Sequence, residues 1–139
     1  MYSNMIIDTE ILLRLVIAAV VGGIVGYERK IANKPAGIRT LMLISVGSAL
    51  FTIVSLTAFS NYDPSKIVAG IVTGIGFLGA GTIFRSKDTV TGLTTAASMW
   101  AVAAIGLTAG LGEYVLMITA TILVLLILQL NKIKFLREV

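Results

Sequence analysis

Five long apolar runs, at 11–27, 40–60, 67–84, 92–110 and 113–130, occupy most of this 139-residue chain. A helix needs about 20 apolar residues to cross a hydrocarbon core, with a range of roughly 17–25. The runs are continuous and lack the period-two alternation of barrel strands, so each reads as a transmembrane helix. The connections are short, which makes consecutive helices antiparallel neighbours. Asn61-Tyr62-Asp63-Pro64 reads as a turn with Pro64 near the start of the third helix, and Gly110-Leu111-Gly112 as a second tight turn. The expected fold is all-α: one polytopic membrane domain over residues 1–139, a bundle of five transmembrane helices followed by a basic cytoplasmic tail at 131–139.

Charge gives the orientation. Nine of the eleven Lys and Arg residues fall in three stretches: Arg29, Lys30, Lys34 and Arg39; Arg85 and Lys87; Lys132, Lys134 and Arg137. Basic loops collect on the cytoplasmic side, so the N-terminus is expected outside and the C-terminus inside. The outer side then carries Arg14 and Lys66 with four carboxylates, Asp8, Glu10, Asp63 and Glu113. Arg14, about one turn inside the first helix, is placed to snorkel back towards Asp8 or Glu10. Attraction to anionic lipid headgroups accounts for the net charge of +4, and no nucleic-acid partner is expected.

Composition excludes several chemistries. Charged residues make up 13% of the chain, against about 25% in a soluble domain. Cys and His are absent, which removes Cys/His zinc sites, thiol nucleophiles and Ser-His-Asp triads. The carboxylates are scattered at the two interfaces and offer no convergent acid–base pair, so neither an enzyme nor a bound cofactor is expected.

Gly74-Ile75-Gly76-Phe77-Leu78-Gly79 matches the dinucleotide pattern G-x-G-x-x-G. That pattern requires a preceding strand and an acidic residue about 20 positions on, whereas here it lies inside an apolar run. Helical spacing gives a better account. Ala69, Thr73, Gly76 and Ala80 share one face of the third helix, and Gly70, Gly74 and Gly81 the adjacent one. Small faces allow close backbone approach within lipid. With Ala18, Gly22 and Gly26 on the first helix and Ala97, Ala101 and Ala104 on the fourth, the rows predict close packing of helices one, three and four. Gly79 belongs to the same small-residue surface.

The flanking sequences are the most specific. G-x-E-R ending at Arg29, K-P-A-G-I-R-T over 34–40, D-P-S-K-I-x-A-G-I-V-x-G-I-G-F-L-G-A-G-T-I from Asp63, and V-x-G-L-T-T-A-A-S-M-W over 90–100 occur in one order. Together they resemble the MgtC/SapB family of bacterial inner-membrane proteins, over about residues 11–130. The resemblance implies a five-span inner-membrane domain linked to growth under magnesium limitation and, in pathogens, to intracellular survival. It implies action by modulating other membrane machinery, with the F-type ATP synthase as a proposed partner. Many members carry a cytosolic C-terminal domain, so a chain ending at Val139 is expected to be a short form or a truncated one.

Read from the residues themselves, the inner face offers an anion site. Thr91 is expected to cap the fourth helix, Arg39 and Arg85 enter from the same side, and Thr94 and Thr95 add hydroxyls. Arg29 and Thr40 flank the group, and Glu28 pairs with Arg39 if it braces the loop instead. Two functions compete. One is a regulator that docks through its helices on a larger complex, or on a second copy as a homodimer. The other is a channel or carrier for Mg²⁺ fed by the outer acidic cluster.

Overall fold

A computed structural model describes residues 2–59 and 63–130, with side chains from residue 9 onward. Ser60, Asn61, Tyr62, the Asp8 side chain and the expected basic tail at 131–139 lie outside the described residues. Five helices follow in order: α1 (Tyr2–Ile31), α2 (Ile38–Ala58), α3 (Ser65–Ala80), α4 (Leu93–Leu111) and α5 (Tyr114–Gln129). Three of them are long and apolar enough to cross a membrane, namely the Thr9–Ile31 part of α1, α2 and α4. α3 and α5 have 16 residues each, about 24 Å at about 1.5 Å per residue.

The third apolar run stops being helical four residues sooner than expected. Between α3 and α4 the chain forms an antiparallel hairpin, β1 (Phe84–Ser86) and β2 (Thr89–Thr91), with Arg85 opposite Val90. Gly92 closes it at a φ of 89°, and a Cβ there would sit 1.8 Å from the Thr82 carbonyl oxygen. No residue but glycine fits that crossing.

Two helix ends are closed by a left-handed residue. Past α1, Asn33 has a φ of 53°, the Asn33 N–H donates to the Lys30 carbonyl and the Lys34 N–H to that of Arg29. Past α4, Gly112 does the same, with N–H groups of Gly112 and Glu113 reaching Ala109 and Thr108. Both are Schellman closures, which satisfy carbonyls that the helix leaves unpaired.

The expected trio of helices one, three and four is not what forms the centre. α2 is the middle element, packed most extensively on α1 and α4. α1 and α3 make at most marginal contact. Gly22 and Gly26 do form a close interface, but against α2. An added Cβ at Gly22 would lie 2.7 Å from the Leu41 carbonyl oxygen, and one at Gly26 would lie 2.6 Å from the Ile38 Cα. On α4 the close residues are Gly106 and Gly110, whose added Cβ atoms would meet the Ser45 and Ala49 carbonyl oxygens at 2.2 and 2.7 Å. Ala97 and Ala104, expected in that role, are exposed. Gly106 and Gly110 are four apart and so share a face, one that points at α2.

Two apolar clusters fill the space that these contacts define. Val25, Leu41, Met99 and Val102 belong to one, and Ala18, Ala49, Ile105, Ala109 and Met117 to the other. The α2–α4 seam also carries hydroxyls. Ser48 Oγ donates to the Ala103 carbonyl at 2.6 Å, while Thr52 bonds back to Ser48 in its own helix. Ser45 Oγ is buried without a hydrogen-bond partner.

Overpacking at a tight contact costs about 1–3 kcal/mol or more. Gly106→Ala and Gly110→Ala should therefore lower the thermal unfolding midpoint in mild detergent. Gly70→Ala, where an added Cβ meets nothing within 4 Å, should leave it unchanged or raise it slightly. Circular dichroism on the purified variants checks both.

Candidate functional site

The end of the bundle where α1 runs into α2 and α3 into α4 holds the eight residues expected there: Arg29 and Thr95 are buried, Glu28 is partly buried, and the others are exposed. Arg29, in the last turn of α1, is buried, and its Nε donates to Glu28 Oε2 at 2.5 Å. The Lys34 N–H closes the chain back on the Arg29 carbonyl, and Ala36 in the same loop is buried beside Val25 and Leu41. The 32–37 loop thus folds down over Arg29. Basic residues at a helix C-terminus also meet the negative end of its dipole.

Arg39 and Thr40 are exposed in the first turn of α2. The expected Glu28–Arg39 brace is absent among the described residues; Glu28 takes the neighbouring Arg29 instead. Arg85 stands exposed on β1. Thr91 does not cap α4: it lies in β2, where its Oγ1 donates to the Phe84 carbonyl at 3.5 Å, and Gly92 starts the helix without a side-chain cap. Hairpin pairing claims Thr91, which the sequence had offered for the helix. Thr94 is exposed, and Thr95 is buried with its carbonyl accepting from Ser98 Oγ.

The small-residue surface of α3 divides in two. Gly79 meets Ala96 of α4, with an added Cβ 3.5 Å from the Ala96 Cβ, and Gly81 lies against the Leu78 carbonyl of its own helix. Around Gly70, Gly74 and Gly76 an added Cβ meets nothing within 4 Å. Gly70 and Gly74 line a crevice against α2. Ala69, Thr73, Gly76 and Ala80 are all exposed on the outer surface of the helix.

At the other end, three of the four expected carboxylates, Glu10, Asp63 and Glu113, fall among the described side chains. Arg14 pairs with Glu10 one turn away, and its Nη1 also donates to the Gly110 carbonyl at 2.8 Å. It therefore ties α1 to the C-terminal end of α4, which sequence reasoning missed because the acceptor is a backbone group 96 residues on. Glu113 directly precedes α5. Asp63 accepts the Ser65 N–H at 3.0 Å and closes the start of α3. Among the described residues no three His, Cys, Asp or Glu side chains are grouped so as to hold a metal ion.

Residues 15–134 match the MgtC family. Over 128 residues, covering 86% of this chain and 60% of the relative, the sequence is 45% identical to YhiD of Escherichia coli (strain K12), a protein named as a candidate magnesium transporter. It is 45% identical to SapB of Bacillus subtilis (strain 168) over 78% of this chain and 50% of that protein. The match to MgtC of Salmonella typhimurium is 44%, over 82% and 49%. The chain thus spans about half the length of the curated relatives it matches. No solved structure matches it.

Removing one member of a buried ion pair costs about 3–5 kcal/mol. Glu28→Ala should destabilise the fold on that scale, while Arg39→Ala should stay within about 0.5 kcal/mol of the parent; unfolding in detergent separates the two. Hydrogen bonds from the Ser65 side chain, and then from its backbone N–H, hold the Asp63 carboxyl below the ordinary value of 3.8. A depressed pKa gives stability that is present above the ordinary value and is lost as the pH falls through the depressed one. NMR titration should find Asp63 ionised below the usual carboxylate range, and Ser65→Ala should move it part of the way back.

Proposed function

This chain belongs to the MgtC family, and from that membership we propose that it is a non-enzymatic regulator that docks on other machinery of the bacterial inner membrane. It crosses the bilayer five times, with Arg29, Lys30, Lys34, Arg39, Arg85 and Lys87 on the cytoplasmic side. α3 and α5, although short, complete their crossings with apolar flanks: Ile83 and Phe84 follow α3, and Leu130 follows α5. Small mismatches of this kind are absorbed by tilt or local thinning.

The observation that carries the docking role is the exposed row Ala69, Thr73, Gly76 and Ala80. On α1 and α4, Gly22, Gly26, Gly106 and Gly110 sit where another backbone comes close. On α3 the same composition faces away from the chain's own helices, which suits a helix of a larger complex. The F-type ATP synthase that the family resemblance implies is one such complex, and magnesium limitation is the condition in which the contact would matter.

The name of the E. coli relative supports a second reading, transport of Mg²⁺. Magnesium prefers octahedral oxygen ligands and sheds water reluctantly. The separate engagements of Glu10 and Asp63 favour the first reading over this one.

Gly76→Leu decides between them. The variant should fold with an unchanged unfolding midpoint, yet lose a specific partner retained by the parent during detergent purification. Proteoliposomes of the pure protein should take up Mg²⁺ no faster than protein-free vesicles. Uptake that is abolished by Asp63→Asn would establish the transport reading instead, and recovery of the chain as a stable dimer through Gly76 would make a second copy the partner.

A further inference from the structure

α3 leans on α4 where Gly79 meets Ala96 and touches α2 only sparingly. The splay leaves an apolar crevice of about 780 Å³ between α2 and α3, within the roughly 300–1,000 Å³ of ordinary ligand clefts. Leu43, Gly47 and Phe51 form its α2 wall, and Gly70, Gly74 and Leu78 its α3 wall. Added Cβ atoms at the three glycines would meet no other atom within 4 Å. The crevice runs from Leu43 to Phe59, about 24 Å along the helix, longer than the hydrocarbon half-thickness of about 15 Å. An open apolar slot of that length takes an extended hydrocarbon chain.

Charge selects the occupant further. Arg39 lies one turn before Leu43, and positions 39, 43, 47 and 51 continue one helix face at intervals of four. Arg39 is exposed and has no ion-pair partner among the described residues. Arg85, five residues past α3, stands at the same end; Asp88 in the hairpin turn is the nearest acid in sequence. No carboxylate lines the crevice. A cation at the mouth of an apolar slot complements an amphiphile with a negative head.

We propose that this crevice binds an anionic phospholipid of the inner leaflet, with one acyl chain between α2 and α3 and its phosphate at Arg39. The proposal rests on the five-span reading with residues 28–39 inside.

The full chain, reconstituted in phosphatidylcholine vesicles with trace spin-labelled phosphatidylglycerol or phosphatidylcholine, tests it by electron paramagnetic resonance. Phosphatidylglycerol should be enriched about fivefold in the motionally restricted fraction, the effect of one cation near the surface. Arg39→Ala should bring that preference to unity while leaving the restricted phosphatidylcholine, and Arg39→Lys should keep most of it. Gly74→Leu should reduce the restricted fraction of both lipids; Gly70→Leu serves the same purpose if that variant does not fold. Equal retention of the two lipids by the parent overturns the proposal, as does a preference that survives Arg39→Ala. Displacement of the lipid by millimolar inorganic phosphate would assign the site to a free anion, and Gly74→Cys cross-linking to a second copy would assign it to self-association. Labelling of Lys34→Cys from each side of the same vesicles reports topology separately. Equal lipid retention with residue 34 inside refutes the lipid site alone, whereas residue 34 outside refutes the membrane reading beneath it.

Discussion

Helices surrounded by lipid gain little from burying apolar side chains against one another, because the tails outside are equally apolar. Cohesion must come from close contact, and in this protein it comes from α2 lying backbone to backbone between two glycine pairs. Gly22 and Gly26 press on Leu41 and Ile38 from one side, and Gly106 and Gly110 on Ser45 and Ala49 from the other. The rest of the architecture follows from that seam. With α1 held against the start of α2, the 32–37 loop has no route except across the end of α1, and Arg29 is covered as a result.

The far end is fastened by a different interaction. Arg14 spans from α1 to the last turn of α4 and supplies a donor to a carbonyl that the helix leaves open. The same guanidinium packs against Gly112, where an added Cβ would approach Nη2 at 2.9 Å. One side chain thus fixes α1, the end of α4 and the turn into α5 together. α3 is tied to α2 at its start, where Ser55 Oγ donates to the Pro64 carbonyl at 3.2 Å. Its contacts are concentrated on α4, which leaves its side towards α2 open and makes room for a ligand there.

Much of this was legible in the sequence, and the misses have physical causes. The apolar runs located all five helices, because length and hydropathy fix a membrane helix with little help from tertiary context. The spacing of Ala18, Gly22 and Gly26 reveals a small face but says nothing of what meets it, which here is α2. Gly106 and Gly110 have the same four-residue spacing, but Gly110 read from the sequence as part of a turn, whereas α4 continues through it to Leu111. Residues 84–91 were read as the end of a helix and a loop, since strands of three residues are too short to show a period. Arg39 and Arg85 stand out in the sequence by charge alone. The pairing of Glu28 with Arg29 does not, because adjacent residues on a helix ordinarily point apart.

The seam around α2 is made of backbone atoms, alkyl groups, the Met42 thioether against Gly23, and the hydroxyls of Ser45, Ser48 and Thr52. None of these exchanges a proton between mild acid and mild base, and a chain without cysteine cannot cross-link or be oxidised at a thiol. Acidification therefore finds no titratable group in this seam, and oxidation has only the thioethers of Met42, Met99 and Met117 to act on. A change of pH acts instead at the rims of the bundle, where Glu10, Arg14, Glu28 and Asp63 lie.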